Sequence, residues 1–205
     1  LPGTELEIVI DWGGSINSLI VCQSTDSEFR AINSLYTTPP ETYKDLAVHF
    51  CRYYQYHAVK HVSMYYDPSG NNRRADSSET YAEEFARLLR EQGWGVTLMN
   101  IGHTNPHYHN KHLLWQIILK EEDKRFPLFR MNRSNCENVF TSMRDAALKT
   151  GRNGFEKDKS SERRDSGILP QHATHFSDAI DLIVWFKYGN RIDKNGLGMA
   201  YPHIG

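Results

Sequence analysis

Three strand-like runs crowd the start of the chain: Leu6–Asp11, Ile16–Gln23 and Glu28–Thr37, parted only by short Gly/Ser/Asn/Asp segments. Tight turns between successive strands predict an antiparallel meander. The period then changes. In TTPPETYKDLAVHFCRYYQYH, residues Tyr43, Leu46, Ala47, Phe50 and Tyr54 recur at helical spacing; Thr38 and Glu41 fit a capping box, with Pro39 and Pro40 in the first turn. A strand over His61–Asp67 follows. Next come a helix capped by Asp76 and Glu79, carrying Tyr81, Phe85, Leu88 and Leu89 on one stripe and stopped by Gly93, and then a fifth strand, Val96–Ile101. Helical spacing returns at about 107–122 and 135–148. The polar stretch KTGRNGFEKDKSSERRDSGILP reads as a long loop or exposed hairpin, and HATHFSDAIDLIVWFKYG as a closing helix. The expected fold is α/β: a mixed five-stranded sheet flanked by helices. Strands one to three form antiparallel hairpins, and strands four and five run parallel to the first through right-handed crossovers.

Composition narrows the function classes. At 205 residues the chain suits one domain, with its core over about residues 6–188, an exposed segment at 150–170 and a tail at 189–205. Hydrophobic residues make up 39% and charged residues 24%, so the chain is not disordered in type. It holds no apolar run long enough to span a membrane and no signal segment, which predicts a soluble, intracellular protein. Cys22, Cys51 and Cys136 are odd in number and far apart, as core thiols are. A formal net charge of −1 excludes wholesale electrostatic capture of a polyanion, leaving local basic patches or metal ions to do so. The start LPGTE, without a methionine, suggests a piece of a longer polypeptide.

Three acids then stand out by position. Asp11 ends the first strand, Asp67 ends the fourth, and Asp178 lies in the first turns of the closing helix. Each alone is an ordinary strand-end or cap residue. Together, if strands one and four are parallel neighbours and the helix crosses their edge, they form a self-repelling carboxylate cluster. Hard oxygen ligands of this kind select Mg²⁺ or Mn²⁺. Two such ions about 3.5–4 Å apart would serve phosphodiester hydrolysis. Asp181 competes with Asp178 for the third position, being three residues on, and His175 shares a helix face with Asp178.

The ordered set IDWG, YYDPSG, KDKSSE and THFSDAIDLIVW resembles the C-terminal nuclease domain of the large terminase subunit of tailed bacteriophages, over most of residues 6–188. That resemblance implies a ribonuclease H-like fold, with Asp11, Asp67 and Asp178 as metal-binding acids and His175 beside them. It also implies a function, the cutting of concatemeric phage DNA during packaging in the bacterial host cytoplasm. The implied partners are double-stranded DNA, an ATPase domain earlier in the same polypeptide, the small terminase subunit and the portal. No G-x-x-x-x-G-K-[ST] phosphate loop occurs, so this stretch carries no ATPase motor.

Lys157, Lys159, Arg73 and Arg74 are the candidate phosphate contacts, set against acids in the same loop that dilute the field. GHTNPHYHNKH offers His103, His107, His109 and His112 to a zinc reading, but no cysteines or acids stand at structural-site spacing, and a polar helix start is the simpler account. Other functions compete. DWGGS is similar to the phosphate-binding turn of actin and sugar-kinase phosphotransferases, which need a second such domain. A resolvase or transposase core would share the acids, and a non-catalytic DNA- or portal-docking module would not use them.

Overall fold

The computed structural model describes every residue except 74, 76, 101–104, 152–153 and 193–205, and of Asn100 the backbone alone. Strands β1 (Leu6–Trp12), β2 (Asn17–Ser24) and β3 (Glu28–Thr37) form the antiparallel meander. Helix α1 (Tyr43–Tyr53), strand β4 (His61–Tyr66), helix α2 (Tyr81–Glu91) and strand β5 (Gly95–Asn100) follow. Strand β4 pairs in parallel with β1, and β5 in parallel with β4. Then come α3 (Tyr108–Lys120), β6 (Leu128–Met131), α4 (Glu137–Asp145), a hairpin of β7 (Leu148–Gly151) and β8 (Gly154–Lys157), and α5 (His175–Tyr188). The sheet order is β5-β4-β1-β2-β3-β6.

The sheet therefore has six strands where five were expected. The extra one, β6, pairs in parallel with β3 at the sheet edge. It is only four residues long, and a run that short has no period to read. The β7–β8 hairpin overlaps the start of the expected exposed segment, and α4 stops at Asp145 because the chain turns into β7. Both capping boxes sit one helical turn later than expected. Thr42 with Asp45 caps α1, and Thr80 with Glu83 caps α2. Each Thr stands at extended backbone dihedrals with its hydroxyl accepting from helical N–H groups, the role that spacing alone gives to Thr38 and Asp76. Asp76 itself lies outside the described residues, as do Ile101 and most of the expected tail.

Two cores cover the two faces of the sheet. Ile8, Ile10, Leu19 and Val21 pack with Leu46, Phe50, Phe85 and Leu89 of α1 and α2. Val9, Ile20, Cys22 and Phe29 pack with Leu114, Phe176, Ile180 and Ile183 of α3 and α5. Helix α5 is apolar on nearly every side because it is covered by the sheet beneath and by α3 and α4 around it. Burying each such aliphatic or aromatic side chain contributes about 1.5–3 kcal/mol, so α5 is firmly seated as a platform. All three cysteines are buried and free. Among the described residues no helix is long and apolar enough to cross a membrane.

Candidate active site

Period-two alternation aims the strand acids. On β1, Ile8 and Ile10 face α1 and α2 while Val9 faces α5, so Asp11 emerges on the α5 side. On β4, Met64 and Tyr66 face α1 and α2 while Tyr65 faces α5, and Asp67 follows Tyr65 in phase. Ile10 pairs with Tyr66 in the parallel register, so the next step along both strands sets Asp11 beside Asp67. Both leave the carboxyl ends of adjacent parallel strands.

Two glycines make this edge possible. A side chain at Gly70 would meet the Tyr66 ring at 2.5 Å, so only glycine lets the turn after Asp67 fold back on its strand. At Gly13 a Cβ would lie 2.6 Å from the Ile16 carbonyl and 3.2 Å from His175, which needs that space to reach Asp11. His175 Nδ1 stands 2.8 Å from Asp11 Oδ2. Burial works against a charged imidazole there, but the Asp11 hydrogen bond and charge outweigh it and hold its pKa above the ordinary value. Burial also pushes the Asp67 carboxyl above the usual carboxylate range; the Ser69 hydroxyl, donating at 2.5 Å, opposes this and the Asp11 charge adds to it.

Asp178 closes the helix side. A cavity of about 370 Å³ is lined by Asp11, Asp67 and Asp178 together with Lys111, Lys157 and Lys159. Lys157 Nζ donates to Asp178 Oδ1 at 2.7 Å, and Lys159 Nζ lies 2.7 Å from Asp178 Oδ2. Burial would raise the Asp178 pKa, yet the two ammonium groups hold it below the usual range. Asp181 does not line this cavity. Its Oδ1 accepts from Trp115 Nε1 at 2.6 Å and its Oδ2 from Lys157 at 2.7 Å, with the side chain only 5% exposed. Of the two helix acids, Asp178 shares the cavity with Asp11 and Asp67, and Asp181 serves as a buried counter-ion.

The basic candidates divide as well. Lys157 was expected on an open loop, but it is 4% exposed, because β8 packs against α3 and its side chain turns inward to α5. Its ammonium also donates to Ser177 Oγ at 2.9 Å, so it holds the helix acids together. Lys159 is 57% exposed at the cavity mouth. Arg73 is exposed, forms an isolated bridge with Thr80 and does not line the cavity; Arg74 lies outside the described residues. His109 and His112 pack against Phe155 of the hairpin, and His103 is outside the described residues.

The donor set of Asp11, Asp67 and Asp178 is all hard oxygen, which suits a divalent cation of the Mg²⁺ class. The strand pair fits best: two carboxylates side by side, one with a raised pKa, with no lysine or arginine in ion-pair distance among the described residues. The third donor is different. Both Asp178 oxygens are occupied by ammonium groups, and among the described residues no three His, Cys, Asp or Glu side chains stand grouped as a ready metal cage. Lys111, Tyr108 and Lys149 also line the cavity and were not singled out in the sequence, and Glu156, one of the loop acids expected only to dilute the basic charge, lines it too. For Lys111 a signal exists: it heads the buried stripe Lys111, Leu114, Trp115, Ile118, where an apolar residue is the norm.

An acid cavity at the carboxyl ends of parallel strands, beside an antiparallel meander and under a closing helix, defines a ribonuclease H-like architecture. The same fold is found within solved large terminases. The large terminase of a thermophilic bacteriophage aligns over 90% of this chain and 39% of that one, with a TM-score of 0.57 at 14% identity. The same phage protein in complex with ATP-gamma-S gives 0.57 over 89% of this chain and 40% of that one, also at 14% identity. The large terminase (g2p) nuclease domain of bacteriophage SPP1, solved with bound Mn, aligns over 92% of this chain and 87% of that one, with a TM-score of 0.49 at 12% identity. No family model matches the sequence, and no curated protein matches it significantly. This chain spans about 40% of the length of the thermophilic phage terminase, and the likeness is one of fold.

Proposed function

We propose that this chain is a metal-dependent DNA endonuclease that cuts concatemeric phage DNA during genome packaging, acting in the host cytoplasm as the nuclease domain of a large terminase. In this reading an ATPase domain lies elsewhere in the same polypeptide, and the small terminase subunit and portal are partners. The observation that carries the reading is the convergence of Asp11, Asp67 and Asp178, from two strands and a helix, on one cavity.

Two Mg²⁺ or Mn²⁺ ions, when bound, supply Lewis-acid activation of water and neutralise charge at the leaving 3′ oxygen. Asp11 and Asp67 hold the cation side of the site. His175 fixes the Asp11 carboxylate through its Nδ1 contact, so one oxygen is committed to the imidazole and the other is left for a cation. Lys157 positions Asp178 from its buried side, and Lys159, exposed at the mouth, would meet a phosphate of incoming DNA by exchanging its contacts with Asp178 and Glu162. This set offers phosphate contacts and no reader of base edges, which agrees with weak sequence preference.

Cleavage of supercoiled plasmid with Mn²⁺, Mg²⁺ or chelator tests the proposal, using the wild type beside Asp11→Ala, Asp67→Ala and Asp178→Ala. Manganese-dependent nicking that all three variants lose supports it. Nicking that survives the triple variant excludes it, and absence of nicking in the folded wild type points to a docking module instead.

A further inference from the structure

Lys111 is a largely buried lysine whose ammonium faces the cavity with no anion in contact among the described residues. It is 9% exposed, it lines the cavity of Asp11, Asp67 and Asp178, and its ammonium makes no hydrogen bond or ion pair among the described residues. Lys157 and Lys159, by contrast, are committed to Asp178 and Asp181. Asp11 is engaged by His175 and Asp67 by Ser69.

Its position is costly twice over. Lys111 occupies the leading place in the apolar stripe of α3, where methionine or leucine would contribute packing without a desolvation cost. It also stands in the N-terminal turn of α3, where the helix dipole is positive and repels an ammonium. Asp181 and Asp178 attract it from beyond contact, while Lys157 and Lys159 repel it, and burial outweighs the balance and holds its pKa below the ordinary lysine value. A basic group kept against burial and the helix dipole, near acids that are already paired with other lysines, has capacity to accept an anion from outside.

We propose that Lys111 is a phosphate-binding residue, gripping a backbone phosphodiester oxygen of DNA drawn into the cavity. This rests on the nuclease reading for the identity of the polyanion. It adds a specific inner anchor: unlike Lys159, which is paired with Asp178 and Glu162, Lys111 meets no acid among the described residues, and its grip fixes a phosphate relative to the strand acids.

Lys111→Met and Lys111→Arg test this, with three readouts: thermal unfolding, affinity for a short blunt duplex in chelator across a salt series, and plasmid nicking with Mn²⁺. Lys111→Met is expected to hold or raise the Tm, because a burdened charge becomes a fitting apolar chain. It should weaken duplex binding about 10- to 100-fold, the cost of one charge-assisted hydrogen bond. The slope of log affinity against log salt should fall by about 0.9, the signature of one lost phosphate contact. Lys111→Arg should restore most of the affinity. Unchanged affinity and salt slope in Lys111→Met overturn the proposal whatever the Tm does, since Lys111 would then be structural at most. If Tm and affinity fall together, Lys111→Arg decides: recovery of both Tm and affinity with the salt slope supports the anchor, and recovery of Tm alone overturns it. A wild type that binds duplex without nicking it sinks the nuclease reading, while the salt slope still judges Lys111.

Discussion

On the sheet wall of the cavity, Asp11 and Asp67 stand together with a histidine and a serine as their only side-chain partners among the described residues; on the helix wall, Asp178, with Asp181 buried behind it, is held by two lysines. The same residue type is thus held in two electrostatic conditions within one site. The sheet wall carries negative charge without a lysine or arginine against it among the described residues, and its Asp67 is pushed toward the protonated form. The helix wall carries its own cations, and its Asp178 is pulled toward the ionised form. The difference teaches that a cluster of acids is not one ligand set. A cation from solution gains most at the sheet wall, whereas at Asp178 it must share the carboxylate with two ammonium groups that repel it.

The largest expected effect tests that division directly. Asp11→Asn and Asp67→Asn should each lower the nicking rate about 10³-fold or more, the several kcal/mol that metal-held charge stabilisation supplies. Asp181→Asn should leave the rate of the folded protein near wild type in the same assay. A collapse of rate in Asp181→Asn, with normal folding, would put both helix acids at the reacting centre.

Stability separates the walls in the opposite order. Asp181→Ala leaves Lys157 buried with less negative charge beside it, and should cost about 3–5 kcal/mol in denaturant unfolding, as a broken buried pair does. Asp11→Ala, at a position 20% exposed and free of a lysine or arginine partner among the described residues, should cost far less. Equal losses would mean that the sheet wall is also a structural ion pair.

Metal addition sharpens the contrast further. Mn²⁺ at about 100 times its dissociation constant should raise stability by about 2.7 kcal/mol through mass action. Asp67→Asn should abolish that gain in thermal-shift measurements; a full Mn²⁺ shift in Asp67→Asn would move the cation elsewhere.

The smallest effect is the pH dependence in chelator. Asp67 has a raised pKa, so the folded state holds its proton more tightly, and wild type should lose stability relative to Asp67→Asn as pH rises through that pKa. Asp178 has a lowered pKa, so its contribution is present above the ordinary carboxylate pKa and is lost as pH falls through the folded value. Unfolding curves against pH for the two Asn variants should therefore deviate from wild type with opposite signs; deviations of one sign would erase the distinction between the walls.

Much of this was legible along the chain. Asp11 and Asp67 could be found because strands alternate and each acid ends a strand-forming run, so their side and their adjacency follow from local period plus one assumption about pairing. The choice between Asp178 and Asp181 could not, since both lie on the same helix and only the cavity and Trp115 tell them apart. Lys157 misled for a related reason. Its sequence neighbours are polar, and nothing local says that its side chain reaches α5. Strand β6 was too short to carry a pattern, and the capping boxes were placed early because several Thr and acid pairs at that spacing compete in sequence.

The sequence by itself determined the meander, the alternating strands and helices, the aim of the two strand acids and the apolar all-round character of the closing helix, because each rests on a period of two or of 3.6 residues. Only the tertiary structure decided which acids share a cavity, which lysines neutralise them and that Lys111 lies buried without a contacting anion among the described residues. Charge pairing acts over a few ångströms between elements distant in the chain, and no local pattern encodes that distance.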